Sequence, residues 1–340
     1  MKKIILVILT AILLSSFTGC KPRENVARID NGKINVIATI FAPYDFVRQI
    51  AGDRVNLTML LPPGSESHSF EASPRDIISI QNSDLFIYIG GESDGWVDRI
   101  LKSMDTNTIK VLAMMDVVET VREEIVEGME DDDHDHDDDD HGSFWSNFWG
   151  KITGRHKDND HDDEEALDEH VWTSPKNAIV LVEKITELLC EADPANADFF
   201  KENASAYIAQ LMELDDTFKE ITAGGKRRTI VFGDRFPFRY FADAYDLEYF
   251  AAFPGCSTET EPSVATVAFL IDKIKQEEIP VVFHIELSNE RMADTISSET
   301  GAKKLLLHSC HNITKREFDA GSTYLDFMRN NTVNLREALY

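Results

Sequence analysis

The feature that most constrains the fold is a pattern of apolar runs that occurs twice along the 340-residue chain. Each half has four short runs that are rich in Ile, Val and Leu and bounded by Pro, Gly, Asp or Asn, as is typical of strands buried in a parallel sheet. Helical stretches separate the runs, and this alternation predicts right-handed crossovers and a doubly wound sheet in each half. The runs are Ile34–Phe41, Val55–Leu61, Leu85–Gly90 and Ile109–Met114, then Arg228–Gly233, Leu247–Phe253, Ile279–Ile285 and Lys303–Leu307.

A long helical region connects the two halves. Ser174 and Pro175 provide a cap and a first-turn proline, and apolar residues then recur at helical spacing to about Thr222, with a break at Asp193-Pro194. We therefore predict an α/β fold of two doubly wound lobes, with mainly parallel four-stranded sheets, joined by a long rigid backbone helix. The other predicted helices are Pro43–Ala51, one starting at Pro74, Pro237–Tyr245, Pro262–Glu278, Ser288–Thr300 and Ser322–Leu339.

The N-terminus has the features of an export signal. Three residues, Met1-Lys2-Lys3, precede an apolar segment from Ile4 to Leu14 that is too short for a comfortable transmembrane helix. Thr18-Gly19-Cys20 resembles the lipobox of bacterial lipoproteins, so Cys20 is the predicted lipid attachment site; the alternative is a plain cleaved signal. The predicted divisions are a signal peptide (1–20), a flexible tether (21–32), an N-terminal metal-binding lobe (33–173), the linking helix (174–223) and a C-terminal metal-binding lobe (224–340).

Three cysteines remain after Cys20, and export permits disulfide bonds. Cys256 and Cys310 each follow a predicted strand of the second half, so they can meet at one end of that sheet. We predict a Cys256–Cys310 disulfide, although spacing alone does not define connectivity. Cys190 lies on an apolar helical stretch, where it is most simply a buried thiol.

The acidic charge of the chain is concentrated in one segment. The formal net charge is −27, and the window from Glu119 to Glu169 contains 21 acidic and 4 basic residues. Such a balance argues against nucleic-acid binding, which requires clustered Lys and Arg, and favours a cationic partner. We interpret residues 123–168 as a mobile, solvated insertion of the N-terminal lobe. Its alternating His and Asp residues, from Asp131 to His141, can bind divalent cations weakly.

Several histidines follow predicted strands or precede the long helix, where doubly wound domains bind ligands. His68 follows the second strand, and His170 immediately precedes the long helix. His308 and His311 both follow the last strand, and we favour His308 because it comes directly after that strand. Imidazoles in these places suit zinc, whereas an isolated loop histidine is more often simply exposed. His284 lies within an apolar strand, so a hydrogen-bonded core role is expected.

The chain resembles the zinc-binding (cluster A-I) solute-binding lipoproteins of ABC transporters, from Ile34 to Tyr340. The resemblance rests on two long motifs, on Glu261-Pro262-Ser263, and on the His/Asp-rich insertion. The motifs are Pro62-Pro63-Gly64-Ser65-Glu66-Ser67-His68-Ser69-Phe70-Glu71-Ala72-Ser73-Pro74-Arg75-Asp76 and Glu169-His170-Val171-Trp172-Thr173-Ser174-Pro175.

The resemblance implies a metal site between the two lobes, with His68, His170 and His308 as ligands. The third ligand of the family, a histidine after the first strand of the second lobe, is absent here, where Asp234 and Arg235 stand instead. A fourth ligand is therefore expected from Asp234, Glu66 or water. Three imidazoles and one oxygen favour tetrahedral Zn²⁺ over octahedral manganese.

The function implied by the resemblance is capture of Zn²⁺ outside the cytoplasm and its delivery to an ABC permease for import. The protein is then expected to be a monomer without enzymatic activity, anchored on the outer face of the cytoplasmic membrane or in the periplasm through acylated Cys20. One alternative is an exported zinc-dependent hydrolase, against which the sequence has no His-Glu-x-x-His motif. Another is a metal buffer or adhesin lipoprotein that uses the His/Asp-rich insertion alone.

Overall fold

A computed structural model describes residues 31–65, 70–129, 166–257 and 262–340. The predicted signal peptide with Cys20, the Glu66 and His68 positions, and the His/Asp-rich run of the insertion all lie outside the described residues. Within the described part of the chain, no helix is long and apolar enough to cross a membrane.

The N-terminal lobe is built on a parallel sheet with the strand order β2-β1-β3-β4. Three helices connect these strands, and the second of them starts with Ser73 as its N-cap and Pro74 in its first turn, as predicted. The strands are β1 (Asn35–Ala38), β2 (Asn56–Met59), β3 (Leu85–Tyr88) and β4 (Lys110–Ala113), and the helices are α1 (Phe41–Ala51), α2 (Pro74–Gln81) and α3 (Gly95–Ser103).

Two long helices connect the lobes, α4 (Pro175–Ala192) and α5 (Ala197–Gly224). A short 3-10 turn, Pro194–Asn196, separates them at the predicted break. The 28 residues of α5 correspond to a length of about 42 Å. Helix α5 packs against both α4 and α1, and it therefore supports the N-terminal lobe before the chain enters the second sheet.

The C-terminal lobe repeats the topology, with a parallel sheet in the order β6-β5-β7-β8. Its last helix returns to the rest of the molecule and packs against α5 and α1. The strands are β5 (Thr229–Phe236), β6 (Glu248–Pro254), β7 (Val281–His284) and β8 (Lys303–Leu306), and the helices are α6 (Arg239–Tyr245), α7 (Val264–Glu277), α8 (Arg291–Thr300), α9 (Lys315–Ala320) and α10 (Tyr324–Leu339).

One large hydrophobic core extends through both lobes. It includes Phe46 on α1, Leu211 on α5 and Phe241 on α6, all of which are buried. The predicted fold class is confirmed: there are two doubly wound lobes with four-stranded parallel sheets, linked by a long helix. In each sheet the strand order reverses direction between its two central strands, which places a ligand-binding crevice beyond their carboxyl ends.

Candidate functional site

His170 lies between the lobes, just before the 3-10 turn Val171–Thr173 that leads into α4. Its side chain is 1% exposed, and Nδ1 lies 3.2 Å from Oδ1 of Asp168, which also accepts the backbone N–H of His170 at 2.8 Å. Burial disfavours the imidazolium, but the Asp168 carboxylate and the side chain of Cys256 outweigh it and hold the pKa of His170 well above its usual range. A carboxylate on Nδ1 leaves Nε2 as the nitrogen for a metal ion and increases its basicity.

The base of the acidic insertion keeps Asp168 in place. Arg122 and Leu167 form an antiparallel bridge where the insertion leaves and rejoins the lobe. Tyr240, on α6 of the other lobe, donates its hydroxyl to the carbonyl of Asp168 at 2.7 Å, and Glu123 accepts the backbone N–H of Cys256 at 2.9 Å. The loop that carries His170 is therefore tied to both lobes.

His311 faces His170 from the C-terminal lobe. Its ring centroid lies 5.6 Å from that of His170 and 5.0 Å from that of Trp172, both in edge-to-face geometry. The indole N–H of Trp172 donates to the carbonyl of Ser309 at 2.8 Å, and the carbonyl of His311 accepts the N–H of Phe41 at 3.1 Å. Two imidazoles from different lobes are thus brought side by side.

Both histidines border a cavity of about 240 Å³ between the lobes. Asp234, Arg235, Glu286 and Ser65 are among the residues that line it. Asp234 and Glu286 lie at or just beyond the carboxyl ends of β5 and β7, so the cavity occupies the crevice that the topology predicts.

The carboxylate of Asp234 lines this cavity but already accepts backbone hydrogen bonds. Its Oδ1 accepts the N–H of Arg235 at 2.9 Å, and its Oδ2 accepts the N–H of Ile285 at 3.1 Å. Burial raises the pKa of Asp234, and the hydrogen bonds from Ser288 and the two amides oppose this effect. The residue can offer a metal ion a remaining oxygen lone pair, although its main observed contacts join β5 to the loop after β7.

His308, the histidine favoured in the sequence analysis, is placed away from the cavity. Its ring stacks on Phe327 at 3.9 Å and is 3% exposed, and its Nδ1 accepts the N–H of Cys310 at 3.0 Å. Burial lowers the pKa of His308, in keeping with a neutral ring in the core. The physical reason is the left-handed backbone of Cys310, with φ of 60°, which turns the chain so that His311 reaches the cavity instead.

The predicted Cys256–Cys310 disulfide is not formed in the structure, where Cys190, Cys256 and Cys310 are free thiols. Cys256 contacts the ring of His170. Cys310 is fully buried in the core, near the side chains of Asp45 and Tyr324. The two thiols therefore belong to different environments, although both residues follow strands of one sheet.

His68 lies outside the described residues, but both flanks of its segment are defined. Ser65 lines the large cavity, and Phe70 lines a smaller adjacent pocket that His311 also borders. Asn312 donates from Nδ2 to the carbonyl oxygens of Pro62 and Ser65, at 2.9 and 2.8 Å. Within residues 31–65, 70–129, 166–257 and 262–340, no three His, Cys, Asp or Glu side chains are grouped closely enough to hold a metal ion.

Sequence reasoning missed the residues that orient these side chains. Asp168 had a local signal, because an acidic residue two positions before a candidate ligand can reach its ring. Glu286 and Asn312 had none, since the bonds by which they hold distant loops, from Ser309 N–H to Glu286 and from Asn312 to Pro62, span 23 and 250 residues.

The chain matches the family described as "ZnuA: Zinc-uptake complex component A periplasmic" over residues 36–338. It is 30% identical, over 99% of its length, to the zinc-binding lipoprotein AdcA of Streptococcus pneumoniae, and covers 61% of that protein. It is also 30% identical to the high-affinity zinc uptake system protein ZnuA of Bacillus subtilis, with 98% of this chain and 96% of that protein covered. The chain thus spans about three-fifths of the length of the streptococcal relatives.

Solved structures from the same two species are similar to this chain in fold. The Zn(II)-bound ZnuA-like domain of Streptococcus pneumoniae AdcA has a TM-score of 0.69 and 28% identity, covering 91% of this chain and 99% of that one. The metal-dependent lipoprotein YcdH of Bacillus subtilis has a TM-score of 0.70 and 27% identity, covering 90% and 99%. Together with the match over residues 36–338, these similarities show that the chain belongs to the ZnuA family of zinc-uptake components.

Proposed function

We propose that this protein captures Zn²⁺ in the cavity between its lobes and delivers it to a membrane permease of an ABC transporter. The observation that carries the proposal is the pair His170 and His311, which come from different lobes and lie 5.6 Å apart between ring centroids on one cavity. Imidazole nitrogens are preferred zinc ligands, and side chains from two lobes can converge on one ion in the cleft.

The proposed ligands are His68, His170 and His311, with Asp234 or a water molecule in the fourth position. His311 replaces His308 in this set because His308 stacks on Phe327 in the core. The inclusion of His68 is supported by its flanking residues Ser65 and Phe70, each of which borders a pocket lined by His311.

The residues around these ligands explain how the ion would be held and selected. Asp168 engages Nδ1 of His170 and so presents the neutral Nε2 to the metal. Three imidazoles and one oxygen suit a tetrahedral ion, whereas Mn²⁺ prefers oxygen-rich octahedral sites. Because α5 and the shared core join the lobes, we expect binding to order local loops more than it closes the cleft.

The setting of the protein follows from its family and its N-terminal sequence. Zinc uptake is the role that the family and the Bacillus relative are named for, which supports transport rather than catalysis. The pneumococcal relative is named a lipoprotein, which supports anchoring through Cys20 on the extracytoplasmic face of the membrane. We propose that the loaded monomer docks on the permease from that side.

A competitive metal titration of the lipid-free protein tests this function. We expect one tight zinc site that is strongly preferred over manganese and is abolished by His170→Ala. His284→Ala is the matched control, because that histidine ends β7 and its Nδ1 lies 3.1 Å from the carbonyl of Ile285. Equal affinity for Mn²⁺ and Zn²⁺, or tight zinc binding by His170→Ala, would contradict the proposal.

A deletion separates the cleft site from the His/Asp-rich insertion. Residues 130–165 are replaced by a short glycine linker, which retains the bridge between Arg122 and Leu167 at the base. A transport receptor keeps its tight site and loses only weak sites. A metal buffer that works through the insertion alone loses tight binding as well.

A further inference from the structure

Glu286 has a contact pattern that metal capture by histidines alone does not explain. It follows β7 and lines the cavity, yet its side chain is only 8% exposed. Its Oε1 accepts the Ser309 hydroxyl at 2.6 Å and the His311 N–H at 3.0 Å, and its Oε2 accepts the Ser309 N–H at 2.7 Å. Both oxygens are therefore bonded to the segment that ends in His311.

The backbone of this segment is shaped to receive an anion. Cys310 adopts φ of 60°, a left-handed conformation that is uncommon for a non-glycine residue. This turn points the N–H groups of Ser309 and His311 at one carboxylate, while the N–H of Cys310 turns to His308. N–H groups that converge in this way form an anion-binding concavity, and hydrogen bonds to an ionised group are the stronger kind.

The same segment determines where the ring of His311 lies. The backbone N–H of His311 is held by Glu286, and its carbonyl accepts the N–H of Phe41 at 3.1 Å. With the backbone fixed on both sides of its Cα, the side chain is directed to its position beside His170 and Trp172. Without the carboxylate, the N–H and hydroxyl of Ser309 would lose their acceptor, and the N–H of His311 would keep only the Ser309 hydroxyl oxygen at 3.3 Å. The left-handed turn would then lose much of its support.

We infer that Glu286 is a positioning residue. It fixes the backbone of residues 309–311 so that the ring of His311 lies where it can bind the same metal ion as His170. The inference rests on the proposed function, because it assigns a role within the same cavity. Glu286 acts through His311 and not as a ligand, because Oε1 already accepts two hydrogen bonds, whereas each oxygen of Asp234 accepts a single amide. Oε2 of Glu286 accepts the Ser309 N–H and lies 3.6 Å from Nδ1 of His308.

The test compares Glu286→Gln with Glu290→Gln. Glu290 borders the same cavity but accepts a hydrogen bond from Lys304 at 2.6 Å and takes no part in the proposed site, so its variant removes an equal charge without touching residues 309–311. Zinc affinity is measured by competition with a chromophoric chelator, and the visible spectrum of bound Co²⁺ reports the ligand geometry. We expect Glu286→Gln to weaken zinc binding by about ten- to a hundredfold and to change the Co²⁺ spectrum, as for other groups that orient metal ligands. Glu290→Gln should keep the wild-type spectrum and affinity.

The outcomes separate this inference from the function on which it rests. A wild-type protein without a tight zinc site overturns the function itself. A tight wild-type site with unchanged affinity and spectrum in Glu286→Gln overturns only the role of Glu286. If X-ray absorption shows that this variant has lost one oxygen from the zinc coordination shell, Glu286 is a direct ligand and the positioning role is refuted.

A milder variant covers the case in which Glu286→Gln does not fold. Ser309→Ala removes only the hydroxyl that donates to Oε1 of Glu286 at 2.6 Å. It should shift the affinity and the Co²⁺ spectrum in the same direction by a smaller amount. An unchanged spectrum with unchanged affinity would again overturn the inference.

Discussion

Replacing Asp168 by asparagine should change the pH dependence of zinc binding as well as its strength. Oδ1 of Asp168 lies 3.2 Å from Nδ1 of His170, and both side chains are 1% exposed. Loss of such a partner typically costs about ten- to a hundredfold in metal affinity, or roughly 1.4 to 2.7 kcal/mol. We expect the loss to be largest at pH 8, the highest pH assayed, where protons compete least with zinc for the ring.

Acidification should narrow the difference in zinc affinity between the wild type and Asp168→Asn. Zinc needs the neutral imidazole, and Asp168 holds the pKa of His170 well above 6.5, so wild-type affinity begins to fall above that pH. In the Asp168→Asn variant the new amide lacks the charge that stabilises the imidazolium, so the pKa of His170 drops and protons compete only at lower pH. For each pH unit by which the start of this fall in zinc affinity moves down in the variant, the variant recovers about tenfold in affinity relative to the wild type.

The assay is chelator competition at pH 8, 7 and 6 on lipid-free protein, with Asp215→Asn as the control. Asp215 is also a buried carboxylate on α5, and it accepts the hydroxyl of Tyr245 at 2.8 Å, remote from the cavity. The zinc affinity of Asp215→Asn should follow that of the wild type at each pH. Parallel curves for wild type and Asp168→Asn across this range would refute the assigned role of Asp168.

Two further predictions concern stability. Burial, together with the charge of Glu169, raises the pKa of Asp94 to about 6 from 3.8, so its contribution to folding is present below about pH 4 and is lost as the pH rises through 6. Asp94→Asn should therefore gain roughly 3 kcal/mol relative to wild type between pH 4 and pH 7 in urea unfolding of the metal-free protein, and a constant difference would contradict this. Gly233→Ala would place a Cβ 2.7 Å from Cα of Ala293 on α8, so we expect the free energy of unfolding to fall by about 1 to 3 kcal/mol. The control Gly95→Ala, whose Cβ would meet no atom within 4 Å, should leave stability almost unchanged. Equal denaturation midpoints for the two variants would show the reasoning to be wrong.

Most of the fold was predictable because strands and long helices have local signals. Each of the eight predicted apolar runs overlaps an observed strand, although β5 and β6 extend past the ends of their runs to Phe236 and Pro254. The break at Asp193-Pro194 coincides with the turn between α4 and α5. Two short helices, α3 and α9, were not predicted. The six residues of α9 follow the N-cap Thr314, whose capping box with Glu317 was readable in the sequence, whereas α3 begins at Gly95 without a side-chain cap.

The site was less predictable because its geometry depends on contacts between distant residues. His170 stands in a recognisable local motif, and the structure places it at the cavity. The choice between His308 and His311 depends on the left-handed turn at Cys310 and on the bonds of Glu286, which is more than 20 residues away in the chain. Cys256 and Cys310 follow strands of the same sheet, but spacing does not reveal that one thiol meets His170 and the other enters the core.

Helix α10 of the second lobe packs into the first lobe. The backbone N–H of Tyr324 donates to the carboxylate of Asp45 on α1 at 2.7 Å, and its hydroxyl donates to the carbonyl of Trp172 at 2.8 Å. The residues that complete the interior of the first lobe are thus synthesised only after both sheets. Folding therefore cannot finish lobe by lobe, and a chain truncated before residue 324 should remain a substrate for chaperones and proteases.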